Sequence, residues 1–171
     1  MTRVVLSIGS NLGDRLGRLQ AVVDGLGDRI IAVSPVFETP PWGPVEQDAF
    51  LNAVVIAEDP ALDAHGWLTR AHRLENANAR ERTVRWGPRT LDVDVITCHD
   101  GDEEIRSADP VLTLPHPLAH ERAFVLIPWL AVDPTARLSG RPVSELLGEI
   151  DDAQRAGVRP TALVLTDAGQ N

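Results

Sequence analysis

The sequence predicts an α+β fold, and three observations carry that expectation. Short apolar, β-branched runs recur at Val4 to Ile8, Ile30 to Glu38, Phe50 to Ala57 and Leu91 to Thr97. Helix-length segments separate the first run from the second and the third from the fourth. The resulting β-α-β-β-α-β order matches a ferredoxin-like sandwich, here with an additional C-terminal strand and helices.

Each element has a local reason. After Val4 to Ile8, the GSNLGD turn offers Ser10, Asn11 or Asp14 as caps for a helix reaching about Leu26, where Gly27 and Asp28 close it. Ile30 to Glu38 alternates as one strand. The TPPWGP stretch, 39–44, is a loop because adjacent prolines cannot donate to a ladder. Asp63 to about Ala79 is amphipathic, with Trp67, Leu68, Ala71 and Leu74 on one side. Beyond Leu91 to Thr97 come a turn at HDGDEE, an extended piece near Val111 to Leu114 and a helix around Ala123 to Val132. The core unit is expected over 1–135, with 136–171 an extension packed on or trailing from the same domain, its last ~25 residues a loose or partly disordered tail.

The 171 residues suit one domain with its own core, and 43% hydrophobic with 24% charged residues fits a soluble globular protein. One cysteine, Cys98, rules out an intramolecular disulfide and reads as a buried or inert thiol. The segment MTRVVLSIGS lacks the apolar stretch and cleavage site of a secretory signal, so a reducing cytoplasm is expected. No apolar run approaches the ~20 residues needed to cross a bilayer. A net charge of -9 argues against nucleic acid or an anionic membrane as the main partner, and a monomer is the expectation. Residues 80–89 run against this acidity, carrying Arg80, Arg82, Arg85 and Arg89 against Glu81 alone.

The stretch RWGPRTLDVDVI, 85–96, holds the main chemical signal. Asp92 and Asp94 alternate with apolar residues on a strand, which places both carboxylates on one face with Cα atoms ~6.5 to 7 Å apart. Burying such a pair unpaired costs several kcal/mol, so that face meets either water or a positive charge. Hard cations that also bind substrate phosphates would satisfy it, and two of them ~3.5 to 4 Å apart would fit. The upstream arginines can chelate phosphate oxygens, and Trp86 can stack on a flat ring. By contrast, GSNLG has neither a Walker lysine nor G-x-G-x-x-G spacing and reads as a turn with a helix cap. His116 and His120 have zinc-like spacing but enclose Pro117 and lack a third ligand nearby, while His65 and His99 read as surface residues.

RWGPRTLDVD closely resembles the signature of the 6-hydroxymethyl-7,8-dihydropterin pyrophosphokinase family. SIGSNLGD, TPPWGP, FLNAVV (50–55) and LPHPLAHERAFVLIP (114–128) are similar to the family's other landmarks, in the same order. The resemblance implies Mg-dependent transfer of diphosphate from ATP to a pterin alcohol in folate biosynthesis, with ATP as co-substrate. It implies two magnesium ions on Asp92 and Asp94, and Arg80 and Arg89 as catalytic arginines. It places Arg82, Arg122, His116, His72, Glu75, Trp86 and Val95 in the ATP site, His72 standing where a glutamine is usual. It places Phe50, Phe124, Asn52, Thr39, Pro40 and Trp42 around the pterin. Two phenyl faces and a planar amide suit a flat heterocycle with donors and acceptors on its rim. The charged 80–89 loop is expected to close over both substrates. A two-metal phosphohydrolase and a non-catalytic nucleotide- or pterin-binding module are the alternatives.

Overall fold

The computed structural model describes residues 1–41, 47–78 and 91–167. In chain order these form β1 (Thr2–Ser10), α1 (Arg15–Leu26), β2 (Ile30–Val33), β3 (Phe37–Thr39), β4 (Phe50–Asp59), α2 (Ala64–Ala77), β5 (Asp92–Asp100) and β6 (Glu103–Glu104). Then follow β7 (Ser107–Asp109), β8 (Leu112–Leu114), α3 (Ala123–Val132), β9 (Arg137–Leu138), β10 (Arg141–Pro142), α4 (Val143–Gly148), α5 (Asp152–Gly157) and β11 (Arg159–Pro160).

The expected β-α-β-β-α-β order is present as an antiparallel sheet ordered β11-β3-β4-β1-β5-β6, with β2 also paired to β4. Local chemistry sets the helix starts. Asp14 caps α1 by accepting from the Gly17 amide at 3.0 Å, and Asp63 caps α2 by accepting from the Gly66 amide at 2.7 Å. The expected single strand over 30–38 is instead two strands. Ser34 exchanges bonds with Val54 through its amide and its hydroxyl, and Pro35 has no N–H to extend the ladder.

Each face of the sheet carries its own core. Val4, Leu6 and Ile8 of β1 pack with Leu19, Val22 and Leu26 of α1 and with Trp67, Ala71 and Leu74 of α2. Trp67 is fully buried, and its indole N–H donates to the Thr2 hydroxyl at 2.8 Å, so the large ring is inside without an orphaned donor. Val5, Val54, Ile56 and Ile96 point the other way, onto Val125, Leu126 and Trp129 of α3 and Val143 and Leu146 of α4.

The C-terminal segment corrects the expectation of a loose tail. β11 pairs with β3 as the outermost strand on that side of the sheet, Val158 is buried in the second core, and Leu165 is buried in the first. The segment therefore straps the sheet from one face to the other. Thr166 exchanges two bonds with the Gln20 amide side chain, at 2.8 and 2.9 Å, which pins the strap to α1.

Candidate active site

Strand register assembles the site. Phe37 of β3, Asn52 of β4, Gly9 of β1 and Asp92 of β5 lie in one row across the sheet, and Ser7 pairs with Asp94 one step further along. Directly paired residues share a face, so Asn52, Gly9, Asp92 and Asp94 all look toward the face that α3 covers. Along β5 the expected alternation holds: Asp92 and Asp94 are half-buried, while Val93 and Val95 are buried in the first core. Phe50 is two residues before Asn52 and shares its face.

Asn52 is 4% exposed, and its orientation is fixed. The side-chain amide donates to the Thr39 hydroxyl at 2.7 Å, across the β3–β4 pair. Its carbonyl oxygen lies back over Gly9, where an added Cβ would sit 2.8 Å away. Gly9 is thus a close-approach glycine, and the missing side chain makes room for the amide. Just before α3, the Arg122 guanidinium carbon lies 5.5 Å from the centre of the Phe124 ring of the helix's first turn, a cation–π contact.

A cavity of about 290 Å³ opens beside this row, between α2 and the β7–β8 hairpin. It is lined by four residues that the resemblance places in the ATP site, His72, Glu75, Val95 and His116, and by Asp94 of the carboxylate pair. Asp94, which shares a strand face with Asp92 of the row, also forms part of the cavity wall. Glu75, 5% exposed, accepts from the Val93 amide at 3.5 Å and so ties α2 to β5. His116 accepts from the Leu118 amide at Nδ1, 3.2 Å, leaving its proton on Nε2. Burial, with the Arg122 charge as a smaller cause, lowers this imidazole from 6.5 to about 4. At neutral pH His116 is therefore an uncharged donor.

Sequence reasoning missed Leu68 and Pro110 to Thr113 as cavity walls, and it missed the role of Gly9. Val111, expected from the sequence as part of an extended piece, stands 71% exposed at the hairpin beside the cavity. Nothing in its local pattern distinguishes it from an ordinary surface valine. Pro40 is exposed at the start of its loop. Arg80, Arg82, Trp86, Arg89 and Trp42, and with them the expected loop closure, lie outside the described residues. Cys98 is buried, and desolvation raises its thiol to about 11, in keeping with an inert role. His65 is 61% exposed and pairs with Asp109 at 3.4 Å.

Fold and site together define a class: a ferredoxin-like α+β domain with a polar, carboxylate-bearing cleft at one end of its sheet. The chain belongs to the 7,8-dihydro-6-hydroxymethylpterin-pyrophosphokinase (HPPK) family, whose model matches residues 5–134. It is 58% identical over 168 residues to the 2-amino-4-hydroxy-6-hydroxymethyldihydropteridine pyrophosphokinase of Mycobacterium bovis, covering 93% of this chain and 89% of the relative. The Methylorubrum extorquens protein of the same description is 42% identical, covering 88% of this chain and 95% of the relative. A solved HPPK-DHPS structure from Plasmodium falciparum shares the fold, with a TM-score of 0.64 at 15% identity over 86% of this chain. This chain spans 44% of that longer protein.

Proposed function

We infer that this chain transfers diphosphate from ATP to the hydroxymethyl group of 6-hydroxymethyl-7,8-dihydropterin, releasing AMP, in folate biosynthesis. Family membership supports the reaction, and one structural observation supports its location. Asp94 lies two residues beyond Asp92 of the row, on the same strand face, and also lines the cavity, so ligands in the two places would meet at the carboxylates.

The pterin is assigned to the row. Asn52, held by Thr39, keeps its second amide N–H and its carbonyl oxygen for the pterin edge, and Phe50 and Phe124 supply aromatic walls. Pro40 stands exposed just after β3 on this side, and Trp42 is assigned to the pterin by the resemblance alone. ATP is assigned to the cavity, with Glu75, His72 and Val95 toward the nucleoside, Arg82, Arg122 and His116 toward the phosphates, and Trp86 in the same site as a ring that can stack on a flat heterocycle. A neutral His116 gives a phosphate oxygen a hydrogen bond from Nε2 without adding charge.

The donor set at Asp92 and Asp94 fits magnesium. A carboxylate pair is what magnesium takes when substrate phosphates complete its shell. When bound, two Mg²⁺ would neutralise charge on the triphosphate. The hydroxymethyl oxygen attacks the β-phosphorus in line as the bond to the α–β bridging oxygen breaks and AMP leaves. Arg80 and Arg89 are assigned to the charge that develops, which a guanidinium fork holds without being deprotonated. No side chain is assigned as general base, since a loose transition state does not require one. Incubation with ATP, Mg²⁺ and the pterin should yield AMP and pterin diphosphate one to one. Inorganic phosphate would instead indicate a hydrolase, and absence of product a binding module.

A further inference from the structure

The loop that carries Pro40 and Trp42 has two stems: Glu38 and Thr39 at the end of β3, and Ala49 and Phe50 at the start of β4. One arginine bridges them. Arg15, the first residue of α1, donates from Nη1 to the Ala49 carbonyl at 2.9 Å, and the same nitrogen lies 3.5 Å from Glu38 Oε2. The other oxygen of Glu38 accepts from Arg159 Nη2 at 2.9 Å. One carboxylate is thus held between two guanidiniums, one on α1 and one on the C-terminal strap. Asn11 reinforces the second stem, donating to Gln47 Oε1 at 2.8 Å and to the Asp48 carbonyl at 3.0 Å.

These contacts sit outside the pocket but fix its frame. Thr39 follows Glu38 and orients the Asn52 amide, while Phe50 follows Ala49. The side chains of Arg15 and Glu38 are about one-third exposed and that of Arg159 is more so, and ion pairs of this kind add little to global stability. Their energetic effect is local: they set the spacing of the two stems.

We propose that the Arg15–Glu38–Arg159 chain is a positioning device for the pterin substrate, coupling the C-terminal strap to Phe50, Thr39 and Asn52. The inference rests on assigning the pterin to those residues. Binding geometry is sensitive to displacements on the ångström scale, so loosening a stem weakens pterin capture while the ATP cavity, built from α2, β5 and the β7–β8 hairpin, is untouched.

The test is steady-state kinetics on the full chain with each substrate varied separately, together with melting temperatures. Arg15→Ala should raise the pterin KM about tenfold, leave the ATP KM within about twofold and leave the melting temperature nearly unchanged. Glu38→Gln should raise it several-fold, and Arg159→Ala less, since that pair is the most exposed. Arg15→Lys should recover part of the loss, because an ammonium can reach one acceptor but not span both. The double variant Arg15→Ala/Glu38→Gln should be no worse than Arg15→Ala alone, as expected of groups acting through one chain. Phe50→Ala is the control for the pterin assignment. If it leaves the pterin KM unchanged, the assignment fails and the proposal with it. If Phe50→Ala raises the pterin KM while Arg15→Ala and Glu38→Gln do not, the positioning chain alone is overturned. Parallel rises in both KM values with a lower melting temperature would also overturn it, since that is the signature of general loosening.

Discussion

Replacing Gly9 by alanine tests the sheet-end row with one methyl group. The new Cβ would stand 2.8 Å from the Asn52 carbonyl oxygen, and 3.6 Å from both the Leu51 carbonyl and Phe50 Cδ1. The last two are ordinary contacts, so the clash falls on the Asn52 amide. Relief requires a shift of about half an ångström or more in a closely packed region. The simplest route turns the amide away from the Thr39 hydroxyl, a buried bond now 2.7 Å long. Overpacking of this kind costs about 1–3 kcal/mol, which in a domain of this size lowers the melting temperature by roughly 3–10 °C. Because the displaced group is the one assigned to the pterin edge, the pterin KM should rise by about tenfold or more, the equivalent of one lost hydrogen bond. The ATP KM should stay within about twofold, since Gly9 does not line the cavity. Thermal melts and separate substrate titrations read both numbers. A variant that melts several degrees lower yet binds pterin as before would show that Asn52 is structural only, and one unchanged in both respects would refute the close-packing claim itself.

Three further outcomes are expected. Asp92→Ala or Asp94→Ala should cut turnover by more than about a hundredfold with the fold retained, as judged by circular dichroism, and activity within tenfold of the parent would remove the carboxylates from the mechanism. Arg89→Ala should lower kcat far more than it weakens ATP binding, and full recovery by lysine would mean that a point charge suffices there. For His116, the folded state favours the neutral ring, lowered to about 4 from 6.5, so the unfolded chain takes up the proton first as pH falls. Stability should decline from about pH 6.5 toward pH 4 and then level off, by about 1–2 kcal/mol once solvent screening at this half-buried position is allowed for. Denaturant melts in chelator comparing the parent with His116→Gln measure that contribution, and identical pH slopes would contradict it.

The pattern of what could be read from the sequence follows the range of the interactions involved. Asp92 and Asp94 are readable because a two-residue period and two carboxylates contradict each other within six residues, and in the fold both are half-buried beside buried Val93 and Val95. The caps Asp14 and Asp63 are likewise local. The break between β2 and β3 was missed although Pro35 marks it, because alternation on either side of the proline masks the interruption. Gly9 looked like an ordinary strand residue. Only its register against Asn52, 43 positions away, reveals the reason for a glycine.

The C-terminal strap shows the same physics at its limit. Its short elements lack a long periodic face, and composition alone suggests a trailing segment. Its attachment rests on Val158 and Leu165, each buried in a different core, and on polar contacts whose partners lie more than a hundred residues upstream: Arg159 with Glu38, Thr161 with Val36, and Thr166 with Gln20. None of those partners carries a mark of the pairing, since a glutamate on a strand and a glutamine on a helix are what solvent alone would select. A contact of this kind becomes visible only when the fold has brought β3, α1 and the strap together. Exposed charged residues beside a binding pocket therefore should not be dismissed as solvating groups until their partners are known. Glu38 would pass for one by sequence, yet in the folded chain it takes a guanidinium on each oxygen, and its backbone leads directly into Thr39.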